Sequence, residues 1–170
     1  MEVNHAKVYC EIQALRFMGR VEIIFDDLPS PCENWVVPRL ILQPVIENAF
    51  KHCLEGMLEQ GLFHIGFQHY ENELCITVED NGQSLTDEKL TALAASLLEE
   101  TEGMEVTGIH NINRRLRLKF NKDSGIRVCR SKSGGLAAVL KIRLHKEEDG
   151  NVPYGNPGCP VWSGYGSRSF

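Results

Sequence analysis

The stretch Gln43-Pro44-Val45-Ile46-Glu47-Asn48-Ala49-Phe50-Lys51-His52 packs a carboxylate, an amide, an ammonium and an imidazole between positions 47 and 52. On a helix, Glu47 and Lys51 lie about 40° apart, as do Asn48 and His52, so all four fall within an arc of roughly 140°. Oxygen ligands beside cationic donors on one strip suit a hard divalent cation such as Mg²⁺ together with a phosphate. Taken alone, the strip also fits a solvated face with an i,i+4 Glu–Lys pair worth roughly 0.2–0.5 kcal/mol. A second cluster, Asp80-Asn81-Gly82, fits either a plain turn or an acceptor carboxylate facing a pocket, with Gly82 admitting a flat ligand to the backbone. The third is Thr107-Gly108-Ile109-His110-Asn111, followed by Arg114-Arg115. A glycine opening a helix leaves free N–H groups at a positive dipole end, an anion site in waiting, although a simple helix start has the same sequence. Gly134-Gly135 fits a hairpin turn.

The elements that must position these residues follow from periodicity. Val8, Ile12, Leu15 and Phe17 predict a helix over 2–18, stopped by Gly19, and Val21-Glu22-Ile23-Ile24-Phe25 predicts a strand. Pro29, Pro31 and Pro38 mark a loop, with Pro38 suited to the first turn of a helix reaching about Gly56. Pro44 either kinks that helix or marks a shifted start. Alternation predicts strands over 62–70 and 73–79, joined at Glu71-Asn72. A helix over 86–99 follows with Thr86 as N-cap, then an acidic run at 99–103 that reads as a solvated segment. Ile109, Ile112, Leu116 and Phe120 predict a helix from Gly108 to Phe120, and the last strands fall near 125–131 and 136–144. Residues 149–170, with five glycines and three prolines, read as an irregular tail. No internal repeat is present. The class is α+β: a mixed, mostly antiparallel sheet covered by helices on one face.

With 170 residues, 42% of them hydrophobic and 24% charged, the composition is that of one globular domain and disfavours disorder and coiled coils. A net charge of -5 argues against generic nucleic-acid or anionic-membrane binding. Six cysteines with no CxxC pair disfavour a thiolate zinc site and read as reduced thiols. No apolar run approaches the ~20 residues of a membrane span, and the first residues lack a signal-peptide layout.

In order and spacing, the four segments together resemble the ATP-binding catalytic domain of sensor histidine kinases, of the LytS/YesM type within the GHKL ATPase superfamily. Leu42-Gln43-Pro44-Val45-Ile46-Glu47-Asn48-Ala49-Phe50-Lys51-His52 is similar to that group's N box nearly throughout. Asp80-Asn81-Gly82 falls where its adenine-binding D box belongs. Gly108-Ile109-His110-Asn111-Ile112-Asn113-Arg114-Arg115-Leu116 resembles its second glycine box, and Gly134-Gly135 its final glycine turn. Tyr9-Cys10-Glu11-Ile12-Gln13-Ala14-Leu15-Arg16-Phe17 resembles the lead-in, so the resemblance spans about 9–145.

The resemblance implies a two-layer, Bergerat-type sandwich that binds ATP and Mg²⁺. It implies that Asn48 ligates the metal and Glu47 polarises the nucleophile or orients the metal shell, with Lys51 and His52 facing the phosphates. Asp80 would take the adenine amino group with Gly82 against the base, and Gly108, Ile109, His110 and Asn111 would offer backbone N–H groups. Residues 84–107 would be a lid. Three positions depart from the family pattern: Ser84, Val106 and Leu136 replace two glycines and a threonine. None of His5, His64, His69, His110 or His145 has a phosphoacceptor context, and His52 belongs to the N box. The chain is therefore expected to be the ATP-binding part of a larger kinase, inactive as an isolated fragment. Expected boundaries are a lead-in over 1–20, a catalytic domain over 21–146 and a tail over 147–170. Expected partners are a phosphoacceptor histidine domain and, through the whole kinase, a response regulator; the fragment would be monomeric and the whole protein a membrane-anchored homodimer with this part in the cytoplasm. The competing expectation is a degenerate module of the same superfamily that acts through protein contacts alone.

Overall fold

In the computed structural model the described residues are 2–17, 19–54, 60–98 and 108–144, with the backbone alone described at 52–54. Helix α1 (Glu2–Arg16) leads into strand β1 (Val21–Phe25), and a single 3-10 turn (Ser30–Cys32) interrupts the loop to helix α2 (Gln43–Leu54). Strands β2 (Gly61–Tyr70) and β3 (Glu73–Asp80) form a hairpin. Helices α3 (Asp87–Leu98) and α4 (Gly108–Lys119) follow, then β4 (Gly125–Arg130) and β5 (Leu136–Arg143). The sheet runs β1-β2-β3-β5-β4, parallel between β1 and β2 and antiparallel elsewhere.

Register puts one hydrophobic set on one face. Phe63 opposes Asp80, Ile65 opposes Val78 and Phe67 opposes Ile76, while Ile76 opposes Leu140 and Leu140 opposes Ile126. All but Asp80 belong to one core cluster that also takes Ile46, Phe50, Ile112 and Leu116 from α2 and α4. Each fully buried large side chain contributes roughly 1.5–3 kcal/mol, so this layer supplies most of the stability. The opposite face carries Glu22, His64, Glu79, Arg127 and Lys141, as the period of 2 requires. The mixed, mostly antiparallel sheet with helices packed on its core face matches the expected class.

Two local expectations fail. Helix α2 begins at Gln43, not Pro38. Leu40 has φ of 56°, which no right-handed helix accommodates, and Pro44 takes the first turn, where a missing N–H costs nothing. Helix α1 turns a different face inward than its apolar period predicts. Val8, Ile12 and Leu15 are exposed, Leu15 by 80%, while Ala6 and Cys10 are buried and Val3, Tyr9 and Phe17 pack beside them. Small residues at 6 and 10 let α1 approach β1 and α2 closely. The C-terminal tail, Gly56 and the acidic run at 99–103 lie outside the described residues.

Candidate nucleotide site

Helix α2 brings its polar strip to the boundary between core and solvent. Val45, Ile46, Ala49 and Phe50 are buried, Asn48 is half-buried, and Glu47 and Lys51 are exposed. Gln43 Nε2 donates to Glu47 Oε1 at 2.8 Å, holding the carboxylate against the helix one turn back. Phe50 fixes the helix over the sheet: its ring stacks on Phe63 at 4.1 Å between centroids and on Phe17 at 6.1 Å. Because Phe63 is the register partner of Asp80, α2 lies over the end of β3 where the second cluster sits.

Asp80 is 3% exposed, an expensive place for a carboxylate unless hydrogen-bond donors meet it. Its Oδ1 accepts the Gly82 N–H at 2.8 Å and the Leu136 N–H at 3.4 Å. The first bond is the local turn that Asp favours; the second ties the end of β3 to the start of β5. Between them lies Gly135. A methyl group there would collide with the Asp80 carboxylate and would sit 2.5 Å from the Asp80 carbonyl oxygen and 2.6 Å from the Gly82 nitrogen. Leu136, which replaces the expected hydroxyl, thus still meets Asp80 through its main chain. Asn81 points elsewhere: its Oδ1 accepts the Leu62 N–H at 2.8 Å and its Nδ2 donates to the Gln60 carbonyl at 3.1 Å.

The third cluster joins the first. Gly108 opens α4 so close to α2 that a Cβ on it would lie 3.3 Å from Pro44 Cβ, and Arg115 Nη2 donates to the Arg39 carbonyl at 2.6 Å. Ile109 is 3% exposed, with its side chain in the core. His110 Nε2 lies 2.9 Å from Ser96 Oγ of α3. Asn111 is exposed, and the main-chain N–H groups from Gly108 to Asn111 form the first turn of α4, where the helix dipole favours an anion. The expected side chain of His52 and residues 99–107, with Val106, lie outside the described residues. Ser84 is exposed.

Two residues given no role from sequence, one inside the glycine-box segment and one outside every motif, hold this arrangement together. Asn113 donates through Nδ2 to the Leu97 carbonyl and accepts the Ile126 N–H at Oδ1, both at 2.8 Å, joining α3, α4 and β4. Its place four residues after Ile109 on the apolar face was the available signal. Arg130 reaches from β4 to the Gly134 and Leu85 carbonyls at 2.9 and 3.1 Å and pairs with Asp87, so the entry to α3 is clamped to the glycine turn. Thr86 Oγ1 caps α3 as expected, accepting the Lys89 N–H at 3.3 Å.

Two further features lie away from the strip. On the opposite face of the sheet, His64 sits between two carboxylates: Nδ1 is 3.0 Å from Glu79 Oε1 and Nε2 is 3.0 Å from Asp26 Oδ2, while Ser131 Oγ donates to Glu79 Oε2 at 3.2 Å. The Glu79 bond, opposed by burial and helped by Asp26, raises the His64 pKa above 6.5, and the same bond lowers Glu79 below 4.5. A cavity of about 850 Å³ opens between the start of α1, the loop over 27–42 and Leu74 and Ile76 of β3; among the described residues no candidate site residue lines it. Among the described residues Cys10, Cys32 and Cys75 are buried thiols outside any disulfide, and burial pushes the Cys10 and Cys75 thiols up to about 11.

The donor set fits Mg²⁺ in one particular way. Among the described residues no cluster of three or more His, Cys, Asp or Glu side chains offers a closed cage. Asn48 and Glu47 offer hard oxygens on adjacent helix positions, which suits an ion that keeps waters and takes its other ligands from substrate phosphates.

Similar proteins were found by sequence and by structure, although no family model matches the chain. The Bacillus subtilis sensor histidine kinase YesM is 30% identical over 146 residues, covering 86% of this chain and 24% of that protein. The sensor protein LytS of Staphylococcus haemolyticus is 28% identical over 115 residues, 68% of this chain and 19% of that protein. The chain thus spans a quarter or less of these relatives. Among solved structures, the catalytic domain of histidine kinase ThkA superposes with a TM-score of 0.58 at 13% identity, covering 83% of this chain and 90% of that one. The ATP-binding domain of PrrB from Mycobacterium tuberculosis gives 0.56 at 14%, covering 86% and 96%. ThkA is also known in complex with the response regulator TrrA, with a TM-score of 0.56 at 14% identity over 84% of this chain and 39% of that one.

Proposed function

From a chain whose homologues are sensor histidine kinases of the YesM and LytS type and whose fold is that of histidine kinase catalytic domains, we propose an ATP·Mg²⁺-binding domain that donates the γ-phosphoryl group to a histidine on a separate domain. The observation that carries this reading is the convergence of three segments on one end of the sheet. Helix α2 lies over Asp80, the glycine turn closes on Asp80, and α4 opens against Pro44. In this reading Asp80 accepts a hydrogen bond from the adenine amino group and Gly82 lies under the base. Asn48, with Glu47 beside it, holds Mg²⁺, which neutralises charge on the phosphates when bound. Lys51 faces the phosphates, and the N–H row from Gly108 to Asn111 receives phosphate oxygens. Phosphoryl transfer of this kind asks the protein for positioning and charge neutralisation more than for a strong base, and residues 84–107 would serve as the water-excluding lid.

Partner and boundary assignments follow the same reading. Helix α1 is the lead-in from the phosphoacceptor domain, and its exposed Val8, Ile12 and Leu15 fit a helix that another segment covers. A response regulator is the downstream partner, by analogy with the ThkA–TrrA complex. No helix among the described residues is long and apolar enough to cross a membrane; the similarity to sensor kinases is what supports placing this part on the cytoplasmic side of an anchored sensor.

The test is a melting curve with and without ATP and Mg²⁺. A ligand that binds only the folded state stabilises by about 2.7 kcal/mol at a hundred times its Kd, so saturating ATP·Mg²⁺ should raise Tm by several degrees. No shift at millimolar nucleotide would instead select the degenerate, protein-binding module.

A further inference from the structure

The segment just before α2 is held from a distance. Glu2, at the start of α1, accepts three successive main-chain N–H groups: Leu40 at Oε2 (2.8 Å), and Ile41 (2.7 Å) and Leu42 (3.0 Å) at Oε1. The Leu42 carbonyl then accepts the N–H of Val45 and of Ile46 at 3.1 and 2.9 Å, so Leu42 is the residue from which α2 is propagated. Leu40 has φ of 56°, a conformation that costs a non-glycine residue about 1 kcal/mol or more and that the carboxylate compensates with charge-assisted bonds. From the other side, Arg115 of α4 holds the preceding Arg39 carbonyl. The four-residue turn over 39–42 is thus gripped by α1 and by α4, and it sets where α2 begins and how it is rotated.

We propose that Glu2 is a positioning residue for the nucleotide site. By holding residues 40–42, it fixes the phase of α2 and with it the placement of Glu47, Asn48 and Lys51 against the first turn of α4. A helix turns 100° per residue, so a start shifted by one position would carry Asn48 off the strip that faces the phosphates. The inference rests on the nucleotide reading above for its consequence, but the grip itself has a separate readout. It also makes α1 more than a tether: displacing the start of α1 would release the N-terminus of α2.

The test compares Glu2→Ala, Glu2→Gln and, as a charge control, Glu11→Ala, whose exposed side chain lies on α1 away from residues 40–42. Amide hydrogen exchange without nucleotide reads the grip; titration with ATP·Mg²⁺ reads its consequence. In Glu2→Ala, the amides of 40–42 should lose protection and ATP affinity should fall about tenfold, the equivalent of one strong charge-assisted bond. Glu2→Gln keeps an oxygen that can accept from Ile41 and Leu42 and should recover part of both, and Glu11→Ala should match the parent. Unchanged protection at 40–42 in Glu2→Ala would overturn the grip. Lost protection with ATP affinity equal to the parent, or with melting temperature alone reduced, would overturn the positioning role. A parent that binds no ATP would instead count against the nucleotide reading, leaving the exchange result to judge the grip.

Discussion

Two adjacent glycines in the last hairpin should respond differently to the same substitution. A methyl on Gly135 meets the Asp80 carboxylate, the Asp80 carbonyl at 2.5 Å and the Gly82 nitrogen at 2.6 Å. Two of those atoms are backbone, so relief requires β3 and β5 to separate at their ends. Overpacking of this kind costs about 1–3 kcal/mol. Losing the Leu136 and Gly82 amide contacts to Asp80 Oδ1 adds roughly 0.5–1.5 kcal/mol for each one broken. Gly135→Ala should therefore destabilise by about 2–4 kcal/mol, lowering Tm by roughly 5–20 °C for a domain of this size. Gly134 has φ of 98° and open space around it, so Gly134→Ala should cost only the strain of a positive φ, about 1–2 kcal/mol. The assay pairs thermal melts with ATP affinity for both variants. Gly135→Ala should lose affinity beyond its loss of stability, because it displaces Asp80, whereas Gly134→Ala should keep the parent's affinity. A Gly135→Ala protein that melts and binds like the parent would refute the close approach, and a Gly134→Ala protein that loses affinity equally would refute its assignment to position 135.

Further expectations follow from the same geometry. Asn113→Ala removes both bonds that join α3, α4 and β4 and leaves a buried carbonyl and amide unmet, so chemical denaturation should show a loss of about 2–4 kcal/mol. His64 is held by Glu79 and Asp26 with its pKa raised, so its contribution is complete below 6.5 and is lost as pH rises through the raised value; Glu79, lowered from 4.5, contributes above that value and loses its contribution as pH falls through its folded pKa. The Tm difference between the parent and His64→Gln should therefore be widest between these limits, reflect about 1–2 kcal/mol, and shrink as pH rises through the raised His64 value. A difference that widened on the alkaline side would contradict the pairing.

Much of this molecule is legible in one sequence because its elements are locally consistent. The hairpin at Glu71-Asn72, the Thr86 cap and the apolar face of α4 each obey a short-range rule, and all appear where those rules put them. The start of α2 escapes such rules, since a carboxylate 38 positions before Leu40 sets it. The inward face of α1 escapes them too: periodicity favours the larger Val8, Ile12 and Leu15, while close approach selects Ala6 and Cys10. At the candidate site, residue types pointed to phosphate and metal chemistry, yet only the fold shows Gly135 against Asp80 or Gly108 against Pro44. His64 reads in sequence as one alternating strand residue, and its two carboxylates arrive from β3 and from the residue after β1.

In the proposed nucleotide site, Asp80 is the group that reads adenine. Isothermal titration of the parent and Asp80→Asn with ATP·Mg²⁺ and with GTP·Mg²⁺ tests it directly. A carboxylate accepts from the exocyclic amino group of adenine and repels the carbonyl that guanine carries there, so the parent should prefer ATP by tenfold or more, and Asp80→Asn should weaken ATP binding by about 10–150-fold, a bond to a charged group being worth roughly 1.5–3 kcal/mol. Its melting temperature without nucleotide should change far less. Equal affinity of parent and Asp80→Asn for ATP, or a parent that binds both nucleotides alike, would contradict that role for Asp80.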